Sequence, residues 1–562
     1  MACLRPETLS AVRAPVSGLA RMQAPPIGVL FDALATPLPT LAMRNLTLNG
    51  TSLTLDHLDW IFREEEFAVS LDRGARKRVQ AARDVVEKHV QAGNVVYGLT
   101  TGFGKLKSVA IEAKDLATLQ HNLIVSHCTG VGEPMLPEEV RAVQLLRLNG
   151  ILRGHSGLRM ETVEQLVRLF NKGFVPEVPR QGSVGASGDL APLAHMAATY
   201  MGFGHAQIRT VSKSGEVKYK RLTSKKALEV IGEKPAVYAA KEGLGLINGT
   251  EVIKSVLARA VSRATNLSKA CDVVASLTIE ALNGSAKPFD DRFAQLKGHA
   301  GHGRTSDNVR KLLKGSKVLT SHANCDRVQD PYSLRCIPQV HGAFKAALEH
   351  VTEILAGELC SVTDNPILFP DTGEVISAGQ FHGQPLSLIA DYLALSICTL
   401  ANISERRVEQ LVNPDLNDLP AFLTPRPGLN SGLMIAQVTA AALASENKGH
   451  AHPASVDTIP TSANQEDHVS MGMAAARKIH AILDNTEAVV GIELMCAGQA
   501  RDFNDEHRPG RGAEAAHVAL RARVRTLGED RYLYPDLKAC RELVASGELV
   551  AAAEKAAGKL QA

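Results

Sequence analysis

The chain has 562 residues, 45% of them hydrophobic and 22% charged, enough apolar surface for a sizeable core and too much for a mainly disordered polymer. Its 62 Lys+Arg against 59 Asp+Glu leave a net charge of +3 with no long block of one sign, so neither nucleic acid nor an anionic membrane is indicated as partner. Nine cysteines lie scattered from Cys3 to Cys540 without a CxxC pair, which speaks against a zinc site or a disulfide framework and for reduced thiols in the cytoplasm.

Residues 1–45 hold several prolines and Arg5, Arg13, Arg21 and Arg44, but among acids only Glu7 and Asp32. That composition fits a disordered extension or an organelle transit segment. Around Leu46, LTLNGTSLTLDHL predicts a short hairpin or strand pair turning into a helix. Helical spacing follows from Asp72 to Gln91, with Gly93 as the stop, and then a Gly-rich loop from Tyr97 to Leu106, YGLTTGFGKL. Further helices are predicted over 113–128, 138–153 and 159–172, before the Pro/Gly-punctuated segment VPEVPRQGSVGASGDLAP. After Gly249, the residues Ile253, Leu257, Ala260, Ala264, Leu267, Cys271 and Val274 alternate spacings of four and three, a seam that packs one long helix against others.

Residues 285–337 read as polar and loop-rich, and helices resume at 339–359, 384–412, 431–449 and 466–500. From 515 onward the pattern is of shorter helices. The expected organisation is an extension over 1–45, an N-terminal region over 46–250, a long-helix bundle over 251–510 and C-terminal helices over 511–562. The fold class is mainly α. No run approaches the about 18 to 20 continuous apolar residues of a membrane helix.

The most informative segment is GSVGASGDLA, Gly182 to Ala191. Small residues let the backbone fold back on itself. If the Gly188 amide nitrogen attacks the Ala186 carbonyl, a five-membered ring closes, and loss of water, including the Ser187 hydroxyl, leaves a conjugated exocyclic methylene. A tight loop ahead of a helix marked by Asp189 and Pro192 is the plainer reading of the same residues.

GSVGASGDLAPLAH resembles the signature of the aromatic amino acid ammonia-lyases. The likeness continues in that family's order through YGLTTGFG, NLIVSH, EGLGLINGT, QDPYSLR, TDNP, FHGQP and SANQEDHVSMG, from about Leu46 to residue 535. It implies a fumarase/aspartase-like long-helix bundle with a smaller, loop-rich N-terminal region. It also implies a homotetramer whose active sites draw on several subunits, and 4-methylideneimidazole-5-one (MIO) formed from Ala186, Ser187 and Gly188. Neither a metal nor a diffusible cofactor is expected.

By this resemblance Tyr97 is the catalytic base, which needs its phenolate stabilised because a tyrosine ordinarily titrates near about 10. Packing or a hinge is the alternative for a Tyr ahead of such a loop. Arg335 matches the residue that grips the substrate carboxylate, a task suited to a planar bidentate donor, and Tyr332, one helical turn earlier, matches another active-site tyrosine. Asn248 and Gln329 match amides that bond MIO or the carboxylate, and Phe381 matches the aromatic beside the MIO ring.

Two further positions bear on the substrate. His127 matches a histidine facing the substrate side chain. Glu466 is an acid where phenylalanine and tyrosine enzymes have none; an unpaired carboxylate against a benzene ring would cost several kcal/mol of desolvation, whereas an imidazole pairs with it. The resemblance with this acid predicts deamination of L-histidine to trans-urocanate, with tyrosine or phenylalanine deamination or a 2,3-aminomutase as alternatives. Glu466 capping a turn or pairing with His468 is its structural alternative. A helical scaffold without turnover is the reading from another class, against which intact Ala186-Ser187-Gly188, Tyr97 and Arg335 speak. Gln380 in place of the usual Asn, and Cys128 and Thr129 in place of small apolar residues, depart from the family's pattern.

Overall fold

The computed structural model describes residues 44–323 and 328–562, so all but the last two residues of the 1–45 extension lie outside the described residues. Strand Arg44–Leu48 buries Leu46 and Leu48 in alternation and pairs in parallel with Phe67–Leu71, Leu46 opposite Val69. A hairpin is thus ruled out: helix Leu55–Phe62 stands between the two strands as the crossover that a parallel pair requires.

The core is a set of long helices, Glu251–Ala281, Ile337–Leu359, Gln384–Val412 and Gly472–Phe503. The first follows from its seam: Ile253, Leu257, Ala260, Ala264, Leu267, Cys271 and Val274 are all fully buried, and 31 residues span about 46 Å. Helix Gln384–Val412 averages a hydropathy of 1.7 over one window, long and apolar enough on those grounds to cross a membrane; here it packs between Ile337–Leu359 and Gly472–Phe503. Its register is set by a buried ion pair. Arg407 grips Glu493 with two bonds of 2.6 and 2.8 Å, and Ser404 and Thr278 donate to the same carboxylate at 2.6 and 2.7 Å. A buried charge left unpaired costs several kcal/mol, so only one axial register of these three helices is tolerated.

The region expected to be loop-rich, 285–337, contains helices Asp291–Lys297 and Ala300–Leu312. The apolar period that would announce Ala300–Leu312 is missing because its inward face is polar: His302, Thr305, Ser306 and Asn308 are buried. Its Gly301 abuts Gly342 so closely that an added Cβ would fall 2.1 Å from the Gly342 carbonyl oxygen, and the two helices touch backbone to backbone. The helix expected over 466–500 begins at Gly472 instead, leaving the preceding segment free to turn toward the site.

Candidate active site

The Gly182–Asp189 loop is held from all sides. The Gly185 carbonyl accepts from the Ser470 hydroxyl at 2.9 Å and the Gly383 amide at 3.1 Å, and the Val184 carbonyl accepts from the Met471 amide at 2.8 Å. Gly188, at φ +73°, lies against Gly249; a Cβ there would fall 2.0 Å from the Gly249 carbonyl oxygen, so no other residue fits. The Asp189 amide donates to that same oxygen at 2.7 Å. Asp189 itself is buried, taking the Ser183 hydroxyl on one oxygen and the Val252 and Ile253 amides on the other. Helices Leu190–Tyr200, Glu251–Ala281, Gln384–Val412 and Gly472–Phe503 all start beside this loop. Positive helix ends therefore meet around this loop, where the Val184 and Gly185 carbonyls and the Asp189 carboxylate accept from them.

A cavity of about 540 Å³ opens on the loop, lined by Tyr97, Ala186, Ser187, Asn248, Phe381 and Glu466. The Ser187 hydroxyl donates to Glu466 Oε1 at 2.7 Å, and Thr461 donates to Oε2 at 2.6 Å. The carboxylate thus pairs with hydroxyls and not with His468. Asn248 ends helix Glu242–Ile247, and its side-chain oxygen is buried with no hydrogen-bond partner, a gap that a ligand or modified loop would fill. Tyr97 opens a hairpin tied by Gly102 amide to Val109 carbonyl and Ile111 amide to Thr100 carbonyl, each 2.9 Å. The hairpin lines the cavity through Gly104 and Lys107, and Lys107 Nζ donates to Gln465 Oε1 at 2.9 Å. Burial and the Glu466 charge push the Tyr97 hydroxyl up, against a bond to the Gly104 backbone that lowers it. His127, the last residue of helix Leu116–His127, is held down by burial and raised by Leu123 and by the field of Glu466.

The remaining expected residues stand elsewhere. Gln329 and Arg335 line a separate cavity with Asn283, Ser285 and Lys287. Tyr332 is 70% exposed, and the Arg335 guanidinium stacks 4.3 Å over its ring. This turn touches the far end of helix Gln384–Val412, where Arg407 Nη1 donates to the Ser333 carbonyl at 3.5 Å. At the near end, Ser387 donates to the Ser470 carbonyl beside the loop. With a rise of about 1.5 Å per residue, those two contacts are about 30 Å apart. One chain cannot bring Arg335 to Ser187.

Thr461, Asn365, His382 and His468 join the site without being singled out by the motifs. The last three line the Ser187 cavity, and the two imidazoles stack with centroids 5.6 Å apart. Asn365, His382 and His468 lie within the TDNP, FHGQP and QEDH motifs, a signal within reach of the sequence; Thr461 carries none, because its importance rests on the turn that follows it. Of the departures, Gln380 is exposed and lies outside the cavity lining. The Cys128 thiol donates to the Ile124 carbonyl and is pushed up to about 11 by burial, so it stays protonated.

Asp189 carries a pH consequence. Burial lifts its carboxyl from 3.8 to about 7, more than the Ile253 amide, the Ser183 hydroxyl and the Val252 amide pull it down. The folded chain then binds this proton more tightly than the unfolded chain. Stability is fully present below the unfolded value and is lost as pH rises through about 7. The uncharged Asp189→Asn chain is expected to lack that component. Thermal midpoints of the two chains measured from about pH 5 to about pH 8 should diverge with rising pH, and parallel curves would show that the carboxyl is not shifted.

Residues 53–522 match the model of the aromatic amino acid lyase family, and the chain belongs to that family. It is accordingly a carbon–nitrogen lyase. Over 512 residues it is 49% identical to a histidine ammonia-lyase of Symbiobacterium thermophilum, covering 91% of this chain and 99% of that one. The crystal structure of histidine ammonia-lyase from Trypanosoma cruzi superposes with a TM-score of 0.83 at 40% identity, over 91% of this chain and 95% of that one. Tyrosine aminomutase from Streptomyces globisporus gives 0.85 at 31% identity, over 92% and 100%.

Proposed function

We propose that this chain eliminates ammonia from L-histidine to give trans-urocanate, using MIO formed from Ala186, Ser187 and Gly188. The observation that carries the reading is the Glu466 carboxylate at 2.7 Å from the Ser187 hydroxyl. Loss of that hydroxyl leaves an anchored acid beside the new methylene, with one oxygen free to accept an imidazole N–H. Relatives named for histidine deamination, nearly half identical over nine-tenths of the chain, support the same substrate.

The loop suits the group. Gly188 has no Cβ to shield its nitrogen, the Gly249 contact presses the loop into a tight bend, and the unpartnered oxygen of Asn248 points to a missing donor or modified neighbour. Once formed, the group supplies an electrophilic methylene that makes the substrate amine a leaving group. The chain's own residues do the rest. Glu466 holds and orients the imidazole, with His127 nearby; Phe381 packs the substrate plane; Tyr97 Oη takes the β-proton. Because burial and Glu466 disfavour its phenolate, Tyr97 requires a cation opposite, and this chain's own Arg335 stands at the far end of Gln384–Val412 from the loop.

The site is therefore completed by other copies in a homotetramer, each lending Gln329, Tyr332 and Arg335, with Arg335 clamping the substrate carboxylate. An uncovered apolar face supports the assembly. Leu388, Tyr392 and Leu395 on one core helix are 53%, 47% and 47% exposed, and Ile435 and Val438 on Met434–His450 are 64% and 52% exposed.

The test is to incubate the purified protein separately with L-histidine, L-tyrosine and L-phenylalanine and follow the ultraviolet absorbance of the olefinic acid. Urocanate from histidine alone is expected. Coumarate or cinnamate would overturn the role given to Glu466, and a β-amino acid product would replace the lyase with an aminomutase.

A further inference from the structure

Glu466 has a geometry that a substrate-binding acid alone does not explain. Its Oε1 holds the Ser187 hydroxyl, while Oε2 is fixed by Thr461 and the backbones of the two residues bond in both directions, at 3.0 and 3.3 Å. The turn between them is strained. Ser462, Ala463 and Asn464 take left-handed φ values of 51°, 51° and 63°, which costs non-glycine residues about 1 kcal/mol or more each. Among the described residues no other ionisable side chain is bonded to Ser187.

We propose that Glu466 acts first on the chain itself, moving the proton that lets the Ser187 hydroxyl leave as water during maturation of the electrophile. The inference rests on the reading that Ala186-Ser187-Gly188 cyclise. Once the Gly188 nitrogen has bonded to the Ala186 carbonyl carbon and that oxygen has left as the first water, the Ser187 Cα–H lies between the ring carbonyl carbon and the new C=N nitrogen and is acidic. Glu466 takes the Cα proton, and the electron pair of the broken C–H bond becomes the Cα=Cβ bond. The Cβ–Oγ bond breaks with its pair on oxygen, and Oγ, which keeps its own hydrogen, takes the proton from Glu466 and departs as the second water. One C–H and one C–O bond are lost, one C=C is gained, Glu466 ends as it began, and no oxidant or reductant is consumed.

The elimination removes the donor that occupies Oε1, so maturation itself vacates the oxygen that the substrate imidazole uses. Because Glu466 touches the Ser187 hydroxyl, the carboxylate governs the rate of the second water loss and not the ring closure. Thr461 is the positioning residue for both tasks, since its hydroxyl fixes which oxygen faces Ser187.

Intact mass followed over time after cell-free synthesis of the full chain reads the maturation directly. The unmodified sequence is expected to lose two waters. Glu466→Gln should accumulate a chain short of one water, its second loss slowed by about a hundredfold, and Thr461→Val, which keeps the acid but frees it to rotate, should fall between. Equal rates of second loss in all three chains overturn the proposal, and so does a Glu466→Gln chain that stalls before the first water. If the unmodified chain keeps its full mass, the MIO reading fails instead, a result distinguishable from either of those.

Discussion

A Ser187→Ala chain is expected to keep its full encoded mass and to turn over L-histidine at least about a thousandfold more slowly than the parent, as removal of a group on which the covalent chemistry depends usually does. Alanine has no hydroxyl to lose, so the exocyclic methylene cannot form. The fold should survive. The Ser187 hydroxyl makes one bond, to Glu466, and losing such a bond costs about 1 kcal/mol, while the backbone contacts of Val184, Gly185 and Asp189 that shape the loop stay in place. Intact mass, circular dichroism and turnover on the same sample separate the outcomes. An active Ser187→Ala chain would mean that deamination needs no electrophile from this loop.

Mixed oligomers of Ser187→Ala and Arg335→Ala chains are expected to recover activity that neither variant has alone. The two positions sit at opposite ends of Gln384–Val412, tied there through Ser387 and Arg407, so a site that needs both must take them from different copies. With half-sites drawn at random, about a quarter of the sites combine an intact Ser187 from one chain with an intact Arg335 from the other. Co-expression with two affinity tags, followed by sequential purification, isolates the mixed species. Full inactivity of that species, with each parent still oligomeric, would place Arg335 outside the site. Loss of Arg335 acts on the carboxylate clamp and on the cation available to Tyr97, so its own deficit should be large in kcat as well as in KM.

Much of the molecule is legible in its sequence. The seam from Ile253 to Val274 announces a buried helix because an α-helix returns a side chain to the same face every three to four residues, and every member of that seam is fully buried. The small residues of the Gly182–Asp189 loop announce a tight bend, and Gly188 proves to have no room for a side chain. The ordered motifs carry the family and, through Glu466, the substrate class.

Other features are invisible to that reading. Helix Ala300–Leu312 buries His302, Thr305, Ser306 and Asn308, the last donating to Asp272 of another helix, and the apolar residues left among them are too few to show a period. The strained turn at Ser462–Asn464 has no glycine to betray it; its conformation is imposed by Thr461 and Glu466 closing on each other. The helical core, the reactive loop and the inventory of chemical groups are all written in the order of residues, because they depend on local periodicity and on residue type. Which of those groups meet is settled by the packing of the helices. Ser187 and Glu466, 279 positions apart, share a hydrogen bond, while Tyr332 and Arg335, quoted in the same run of motifs, are carried to the far end of a long helix. Distance along the chain carries no information about such pairings; the rigid rise of the core helices does.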